Sequence, residues 1–327
     1  MQQLIRQVSQ MPEISVIIPT YNRCERTRSC LESVLGQTFG NFEVMVVDDG
    51  STDSTCDMIA ASHDARIRYV RQDNAGPSAA RNRALDLAQG DWVAFLDSDD
   101  TWEPEKLRVQ MNLVEQTPEV GFVFCDCHWV EGNGARSATR FGRLPGLYSW
   151  PGRREGTFFV AGESVFLSLL AESPIHTSGT MIRKRLLQED RFDRRLVPAE
   201  DWEFWLRISR KTRVAYVDQP LVIIHRHDGN ISGAMLTRVR ASYLALQVML
   251  NEYVDLTDSE KAGILREIER SRHELIYQCL VEGDPAEARD HIAGAERMSV
   301  PLAYRVAACL PASVLRLVRR LRGVSTL

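Results

Sequence analysis

Ile14-Ser-Val-Ile-Ile-Pro-Thr-Tyr-Asn22 is the stretch of sequence that decides the fold. Its first part, Ile14–Ile18, is rich in β-branched residues, stops at Pro19 and gives way to polar residues. A short, nearly continuous apolar run is typical of a strand buried on both faces, as strands of parallel sheets are. The stretch therefore predicts a buried strand that ends in polar side chains.

Further apolar runs extend this pattern along the chain, and helical patterns lie between them. The runs are Phe42–Val47, Ile67–Val70, Trp92–Leu96 and Val120–Phe124. The segment after Asn22 carries an apolar stripe at helical spacing. The segment from Pro77 to Gly90 begins with proline and ends with glycine, as helices commonly do. Strands that alternate with helices predict an α/β fold with a mostly parallel, Rossmann-like sheet flanked by helices.

The pattern changes after residue 130. A segment rich in Gly, Arg and Pro, Glu131–Arg154, predicts a loop. The elements expected next are a helix near Val160–Leu170, a strand near Ser178–Ile182, a helix over Trp202–Ser209, and strands over Val214–Val217 and Leu221–Ile224. After Ser232 the chain is predicted to be helical to its end, with a hairpin over 258–295 that turns at Gly283-Asp284-Pro285.

Composition narrows the class of protein. The net charge of −4 over 327 residues gives no general attraction to nucleic acid, so no nucleic-acid partner is expected. Seven cysteines without CxxC spacing predict free thiols in a reducing cytoplasm. Met1–Pro12 lacks the apolar core of a signal peptide, and no run approaches the roughly 20 apolar residues of a spanning helix. We therefore expect a cytoplasmic protein whose contact with a membrane is at most peripheral.

Polar residues follow three of the predicted strands. Thr20, Asp48-Asp49 and Asp97–Asp100 each begin such a segment. Open parallel sheets bind ligands at the carboxyl ends of their strands, so these segments predict a site at one sheet edge. The alternatives are a simple turn at Asp48-Asp49 and helix capping by Asp53.

Three carboxylates lie within four residues, at Asp97, Asp99 and Asp100. They repel one another unless positive charge is nearby, and such oxygen ligands suit Mg²⁺ or Mn²⁺. Asp100 has an alternative role as the cap of a helix near Trp102. The chain has no GxGxxG, GxxxxGK[ST] or GxSxG motif, which disfavours dinucleotide oxidoreductases, P-loop ATPases and α/β-hydrolases. Without a glycine-rich cradle, a diphosphate would be held by the metal and by side chains such as Arg81.

Four ordered motifs now give a specific resemblance. They are Ile14–Asn22, Val47-Asp-Asp-Gly-Ser-Thr-Asp53, Asn74-Ala-Gly-Pro-Ser-Ala-Ala-Arg-Asn82 and Phe95-Leu-Asp-Ser-Asp-Asp100. Together they resemble the inverting family-2 glycosyltransferases, which have the GT-A fold. The resemblance is close from residue 14 to about 116 and weaker to Ser232, through Ala199-Glu-Asp-Trp-Glu-Phe-Trp205. It implies a GT-A domain over 13–232, with a nucleotide-sugar half (13–130) and an acceptor and catalytic half (131–232), and a helical C-terminal region over 233–327.

The resemblance also implies roles for single residues. The donor nucleotide would contact Pro19, Thr20, Tyr21, Asn22, Asp48, Asp49, Arg81, Asp97 and Ser98. Thr20 and Asp49 would contact the base or ribose, and Arg81 the base or the phosphates. Asp97 and Asp99 correspond to the family's DxD residues, which straddle the ribose and the metal. Asp100 is a third possible ligand, and the sequence leaves open which pair binds the ion.

Two downstream segments complete the expected site. Glu200-Asp201 matches the family's ED motif, in which the Asp resembles the general base, and Trp202 would offer a platform to the acceptor. The alternative is a helix start that favours acids because of its dipole. His225-Arg226-His227 resembles a loop after the last strand, although the family's usual aromatic-Arg pair is replaced. His227 is predicted as a metal ligand, and His225 and Arg226 as contacts to the acceptor or diphosphate; a purely structural histidine is the alternative.

The implied enzyme is a metal-dependent, hexosyltransferase-like enzyme using Mn²⁺ or Mg²⁺. It transfers a sugar from a nucleoside diphosphate sugar, with UDP favoured, to a hydroxyl of a glycan or lipid-linked acceptor, in the synthesis of cell-surface polysaccharide or glycoconjugate. The rival hypotheses are a nucleotidyltransferase and a catalytically inactive nucleotide- or glycan-binding module. The intact carboxylates of the metal loop and base argue against an inactive module.

The C-terminus suggests a further partner. Residues 301–327 contain five arginines and no acids, and Leu and Val recur there at helical spacing. One interpretation is a basic amphipathic helix over Ala312–Arg322 that lies on the inner face of an anionic membrane. The alternative is a helix that packs on the protein and exposes a basic face.

Overall fold

The chain folds into two compact units. The computed structural model describes residues 11–130, 135–162, 164–225, 235–282, 284–294 and 300–311. Of these, 11–194 and 204–225 form the first unit, and 195–203 and 235–311 form the second. All seven cysteines are free thiols.

One mixed sheet organises the first unit. Its strands in the described residues are β1 (Ile14–Thr20), β2 (Phe42–Asp48), β3 (Ile67–Arg71), β4 (Trp92–Phe95), β5 (Thr101–Trp102), β6 (Val120–Val130), β7 (Gly152–Glu155), β8 (Phe158–Ala161), β9 (Met181–Arg183) and β10 (Arg213–His225). Their order is β3-β2-β1-β4-β9-β6-β10-β8-β7, with β5 also paired to β10.

Strands β1 to β4 are paired in parallel, as the sequence predicts. Strand β9 then runs antiparallel between β4 and β6, whereas β6 and β10 are parallel. Because β2 and β4 lie on opposite sides of β1, the strand order reverses there. Such a reversal point is where open α/β sheets form their ligand crevice.

Helices connect the strands of the first unit and make up most of the second. They are α1 (Cys24–Leu35), α2 (Thr55–Ala60), α3 (Pro77–Leu87), α4 (Lys106–Gln116), α5 (Phe166–Ala171), α6 (Glu200–Ser209), α7 (Met235–Glu252), α8 (Asp258–Glu282), α9 (Pro285–Ala293) and α10 (Leu302–Ala308). Helix α3 begins with Pro77 in its first turn, where the missing proline N–H is not needed.

The core of the first unit is built on the sheet. Every residue of β2 is buried, which explains its near-continuous apolar sequence. An aromatic cluster covers part of the sheet: Trp205 of α6 packs edge-on against Phe95 and Phe192 and lies tilted against Phe122. This packing buries Trp205 almost completely and stabilises the position of the second half of α6.

The second unit has its own small core. Leu275, Ile276 and Cys279 of α8 pack with Ala288 of α9 and Ala308 of α10. The predicted hairpin at 258–295 is confirmed as α8 and α9, and Asp284 begins α9 by accepting a hydrogen bond from the Glu287 N–H at 3.2 Å. Within the described residues, no helix is both long and apolar enough to cross a bilayer.

Several predicted boundaries were wrong in the second half of the sheet. The expected helix near Val160–Leu170 is instead β8 followed by α5, because Val160 pairs with Ala215 of β10. A short apolar run fits either element until its neighbour is known. The expected loop over 131–154 contains β7, and the strand expected near Ser178–Ile182 starts only at Met181, after a 3₁₀ turn at Thr177–Gly179.

The two strands expected over 214–224 are one strand, β10. Register irregularities around Val217 and Pro220 let it continue past the proline. The general prediction of an α/β sheet flanked by helices, with a C-terminal helical extension, is confirmed.

Candidate functional site

The carboxyl ends of β1, β2 and β4 meet at one edge of the sheet. Thr20 at the end of β1 is in register with Asp48 at the end of β2, and Ile17 of β1 is in register with Phe95 at the end of β4. The three polar segments that follow these strands are therefore neighbours, as the sequence predicts.

The segment after β1 is fixed by hydrogen bonds to the segment after β2. Asn22 adopts a φ of 50°, in the left-handed region that Asn tolerates better than most residues. Its backbone N–H donates to Ser51 Oγ at 2.9 Å, and its Oδ1 accepts from the Thr52 N–H at 2.7 Å. Thr20 is buried and shares a 2.7 Å hydrogen bond with Thr27, whereas Tyr21 is exposed beside the half-buried Pro19. Tyr21 and Asn22 are the exposed residues of this segment, and Tyr21 offers its ring to a ligand.

Asp48 and Asp49 are both buried, and each organises the loops of the site. Asp48 accepts hydrogen bonds from the Ser51 N–H and from the Tyr69 hydroxyl, both at 2.7 Å. The contact to Ser51 is the turn that was the alternative prediction for this pair. Contact of either carboxylate with a nucleotide stays a prediction.

Asp49 holds the loop that leads into α3. Its carboxylate accepts from Gln72 Nε2 at 2.7 Å and from the N–H groups of Ala75 and Gly76 at 3.0 and 2.7 Å. A carboxylate has about four acceptor positions, so three are in use. This clamp also fixes the start of the helix that carries Arg81.

The acidic loop, Asp97–Asp100, is paired with arginines from two other segments. The Asp100 N–H donates to the Asp97 carbonyl at 3.0 Å and closes the loop into a turn. Arg81 of α3 donates from Nη2 to Asp97 Oδ1 at 2.7 Å. Arg23, just before α1, donates from Nη1 to Asp99 Oδ2 at 2.6 Å. Both expected metal ligands of the DxD motif therefore already have a cationic partner, while Ser98 between them is buried.

The environment moves the pKa values of two of these acids in opposite directions. Burial raises the pKa of Asp97, but Arg81, with His176 and Arg23, outweighs it and holds the pKa below its ordinary value. Burial and the charges of Asp99 and Asp97 raise the pKa of Asp100 well above its ordinary value. The loop thus combines a carboxyl group whose pKa is held low by arginine with one whose pKa is raised by burial and by like charges.

Ser178, which no motif indicated, joins both ends of the acidic loop. Its Oγ donates to Asp100 Oδ2 at 2.5 Å and accepts from the Asp97 N–H at 3.1 Å. Its carbonyl accepts from Trp102 Nε1 at 2.7 Å. His176 lies close by, with Nδ1 3.8 Å from Asp100 Oδ2. No local pattern predicts these contacts, because they depend on the insertion of β9 beside β4.

His225 is brought to the acidic loop by the pairing of β5 with β10. Its Nε2 lies 3.2 Å from Thr101 Oγ1, and its backbone N–H is hydrogen-bonded to the carboxyl group of Asp100. Arg226 and His227 lie outside the described residues, so their expected roles stay predictions.

Glu200, Asp201 and Trp202 form the first turn of α6 and belong to the second compact unit. Glu200 is buried, whereas Asp201 and Trp202 are half-buried. The Trp202 N–H donates to Asp201 Oδ1 at 2.7 Å. Acidic residues in a first turn suit the helix dipole, which was the alternative prediction, and the role of Asp201 as a general base stays a prediction.

The described residues of the site do not form a complete metal-binding cluster by themselves. In the part of the chain that the structure describes, no three His, Cys, Asp or Glu side chains converge so as to hold an ion. Mg²⁺ is commonly bound by one or two carboxylates together with substrate phosphates. The donor chemistry of Asp97 and Asp99 therefore fits an ion that binds together with a diphosphate.

A buried lysine lies against Trp102. Lys106, the first residue of α4, is fully buried, and its Nζ lies 3.8 Å from the centre of the Trp102 ring. Among the described residues its Nζ has no hydrogen-bond partner. Burial lowers the pKa of Lys106 from 10.5 to about 7. A cation–π contact offsets only part of the cost of burying a charge.

Comparison with known proteins gives sequence relatives over most of the chain. The profile of glycosyl transferase family 2 matches residues 15–167. The succinoglycan biosynthesis protein ExoO of Rhizobium meliloti is 30% identical over 257 residues, which are 75% of this chain and 70% of ExoO. An uncharacterized glycosyltransferase of Rickettsia felis is 32% identical over 219 residues, 67% of this chain. The chain spans only 34% of the length of that relative.

Solved structures share the fold. S. aureus TarS 1–349, in complex with UDP-GlcNAc, is similar with a TM-score of 0.66 and 23% identity, over 95% of this chain and 91% of that one. The mannosyltransferase PcManGT from Pyrobaculum calidifontis, in complex with GDP-Man and Mn²⁺, has a TM-score of 0.58 and 18% identity, over 99% and 86%. At these identities the likeness establishes the GT-A fold and nothing finer.

The buried lysine generates a stability prediction. We expect Lys106→Met to raise the free energy of unfolding by about 1–3 kcal/mol at pH 6.5, because it removes a buried ammonium. Between pH 7 and 10.5 only the unfolded chain holds the extra proton, so the wild type gains stability as pH rises. The advantage of the variant should therefore be largest below pH 7 and shrink toward pH 10. Denaturant unfolding at pH 6.5, 8 and 9.5 measures it.

Lys261→Met is the matched control, since Lys261 is exposed on α8. It should change stability little at each pH. If the effect of Lys106→Met did not change with pH, or if the variant were less stable at pH 6.5, Lys106 would not be a buried amine with a lowered pKa.

Proposed function

The chain belongs to glycosyl transferase family 2, and we propose that it transfers a sugar from a nucleoside diphosphate sugar to a hydroxyl of a glycan or lipid-linked acceptor, with inversion. The observation that carries the proposal is the meeting of Tyr21, Arg81 and the acidic loop at one sheet edge. Relatives named for succinoglycan and teichuronic acid biosynthesis support a role in cell-surface polysaccharide synthesis.

In this proposal the donor lies along the ends of β1, β2 and β4. The exposed ring of Tyr21 stacks on the base, with Pro19, Thr20 and Asn22 shaping the pocket and Asp48 and Asp49 beside it. Arg81 and Ser98 face the ribose and diphosphate. UDP is the favoured nucleotide because similar structures hold UDP-GlcNAc and UDP, although another holds GDP-Man.

A divalent ion, Mn²⁺ or Mg²⁺, would be held by Asp99 and Asp97, with Asp100 or His227 as further ligands. When bound, it supplies positive charge that stabilises the leaving diphosphate. The chain contributes Arg81 to the same task, and His225 and Arg226 are proposed to contact the diphosphate or acceptor. A mannosyltransferase of similar fold is described in complex with Mn²⁺.

Asp201 is the proposed general base. It removes the proton from the acceptor hydroxyl as that oxygen attacks the anomeric carbon, and a single displacement inverts this carbon. Glu200 supports the first turn of α6, and Trp202 offers an aromatic surface to the acceptor. These roles assign catalysis to residues 13–232, with donor binding in 13–130 and acceptor binding in 131–232, and leave 233–327 as a helical accessory region.

Donor binding is tested by titration calorimetry with UDP. We expect UDP to bind more tightly with Mn²⁺ than with EDTA, since the ion links the diphosphate to the acidic loop. Asp99→Ala should lose most of this difference, whereas Asp86→Ala, which removes an exposed carboxylate of α3, should keep it. Equal affinity of the wild type in both conditions would exclude a metal-bridged diphosphate.

General-base catalysis is tested by Asp201→Asn. The variant should bind UDP normally but transfer sugar about 10²-fold more slowly or worse, the usual scale of such catalysis. Asp258→Asn is the matched control, because Asp258 also lies in the first turn of a helix, α8. Normal turnover by Asp201→Asn together with an inactive Glu200→Gln would move the base to Glu200. Normal turnover by both variants would refute the base hypothesis.

Peripheral membrane contact is the last part of the proposal. Helix α10 leaves Leu302 and Val306 exposed one turn apart, and Leu310, just after the helix, is exposed as well. Ala308 of α10 is buried in the core of the second unit. An exposed apolar stripe next to an arginine-rich, acid-free segment suits an anionic bilayer surface. The predicted helix over 312–322 lies outside the described residues.

We expect the full chain to sediment with anionic vesicles at low salt and less so at high salt. Removal of residues 312–327 or the double change L302N/V306N should reduce sedimentation, because each basic residue contributes about 1 kcal/mol and the apolar stripe adds burial. Leu265→Asn, at an exposed leucine of α8, is the control. Equal sedimentation of all forms would exclude membrane contact through this region. A truncated chain that is insoluble would instead indicate a helix that packs on the protein.

A further inference from the structure

Arg23 occupies one of the carboxylates that the proposed reaction needs for its metal. Its Nη1 lies 2.6 Å from Asp99 Oδ2, although the two residues are 76 positions apart in the chain. Both side chains are largely buried, with 23% of Arg23 and 13% of Asp99 exposed. An ion pair so shielded from solvent is screened less by salt than an exposed pair.

The backbone on both sides of Arg23 is anchored. Before it, Asn22 is hydrogen-bonded to Ser51 and Thr52. After it, the Cys24 N–H donates to Asp53 Oδ2 at 3.0 Å. The segment after β2 therefore fixes the point from which the guanidinium reaches Asp99. The contact between Arg23 and Asp99 is therefore held in place by the anchored backbone at this edge of the sheet.

The arginines already compensate the charge of the DxD pair. Arg81 faces Asp97 as Arg23 faces Asp99. A divalent ion that approaches Asp99 meets a guanidinium hydrogen-bonded to the same carboxylate, and two cations at that distance repel each other strongly. The ion therefore either displaces Arg23 or binds Asp99 with lower affinity, unless a ligand that binds with the ion adds negative charge.

We propose that Arg23 is a resident counter-cation of Asp99, which competes with the divalent ion and makes metal binding depend on the diphosphate. The inference rests on the proposed function, because it uses the same acidic loop. Arg23 acts through Asp99 and is a positioning residue. The positive charge of Arg23 neutralises Asp99 and stabilises the loop when no metal is bound. The negative charge of the diphosphate then favours the metal ion over Arg23 at Asp99. By linkage, the metal and the nucleotide then strengthen each other's binding by the same factor.

The test is to measure Mn²⁺ binding to the full chain, with the concentration of free Mn²⁺ determined by electron paramagnetic resonance. Without nucleotide, Arg23→Gln should bind Mn²⁺ about 5- to 10-fold more tightly than the wild type, since the competing charge is gone. With saturating UDP the difference should fall below about twofold. The factor by which UDP strengthens Mn²⁺ binding should thus be smaller in the variant.

Three further variants isolate the cause. Arg28→Gln removes a charge from α1 that pairs with Glu25 at the surface, and it should behave as the wild type. Arg23→Lys keeps the charge and should retain most of the coupling. In an Asp99→Asn background, Arg23→Gln should no longer raise the affinity for Mn²⁺, because its partner has been removed.

A structural role for Arg23 gives the opposite result. If Arg23 only braces the loop, Arg23→Gln will bind Mn²⁺ more weakly with and without UDP, and that outcome overturns the inference, as does unchanged affinity. If UDP alters Mn²⁺ binding in none of the proteins and no donor is used, the proposed function fails. The arm with Mn²⁺ alone still decides whether Arg23 competes at Asp99.

Discussion

Repulsion between the carboxylates of the acidic loop is the constraint on which the rest of the site depends. Three acids held in one turn at a buried sheet edge are stable only if their charge is compensated or reduced. Arginines pair with Asp97 and Asp99, while burial and the two neighbouring carboxylates raise the pKa of Asp100. Three neighbouring segments meet this requirement. Arg23 comes from the segment after β1, Arg81 from α3 and Ser178 from the segment before β9, and each is hydrogen-bonded to a carboxylate of the loop.

The contacts show why the first half of the sheet could be predicted from the sequence and the second half could not. Strands β1 to β4 are consecutive and parallel, and all but one residue of β1, β2 and β4 is buried. Local apolar runs and the residues that end them therefore determine their bounds. Strands β8 and β9 are short and owe their existence to partners far along the chain. Val160 is a strand residue because Ala215 lies beside it, and no local pattern carries that information.

The same distinction applies to the site. The carboxylates of the acidic loop can be recognised in the sequence, because clustered acids repel one another and so indicate a nearby positive charge. Their partners are not visible in the sequence. Arg23 directly follows Ile14–Asn22, but no local pattern pairs it with a carboxylate 76 positions away. Ser178 reaches the loop only through the insertion of β9 between β4 and β6. Asp49 is intermediate. Its strand-end position was predicted to face the nucleotide, and the structure adds that it clamps the loop before α3.

The insertion of β9 also bears on how such a protein diversifies. Because β9 is paired on both sides, its position is set by β4 and β6 and not by the length of the chain that leads to it. The connection from β6 to β9 spans some fifty residues and carries the β7–β8 hairpin at the far edge of the sheet. Insertions or replacements in this connection can therefore accumulate without moving Ser178 or the acidic loop. The fold thus separates the connection from β6 to β9, which can vary in length, from the acidic loop and its partners, whose geometry is fixed.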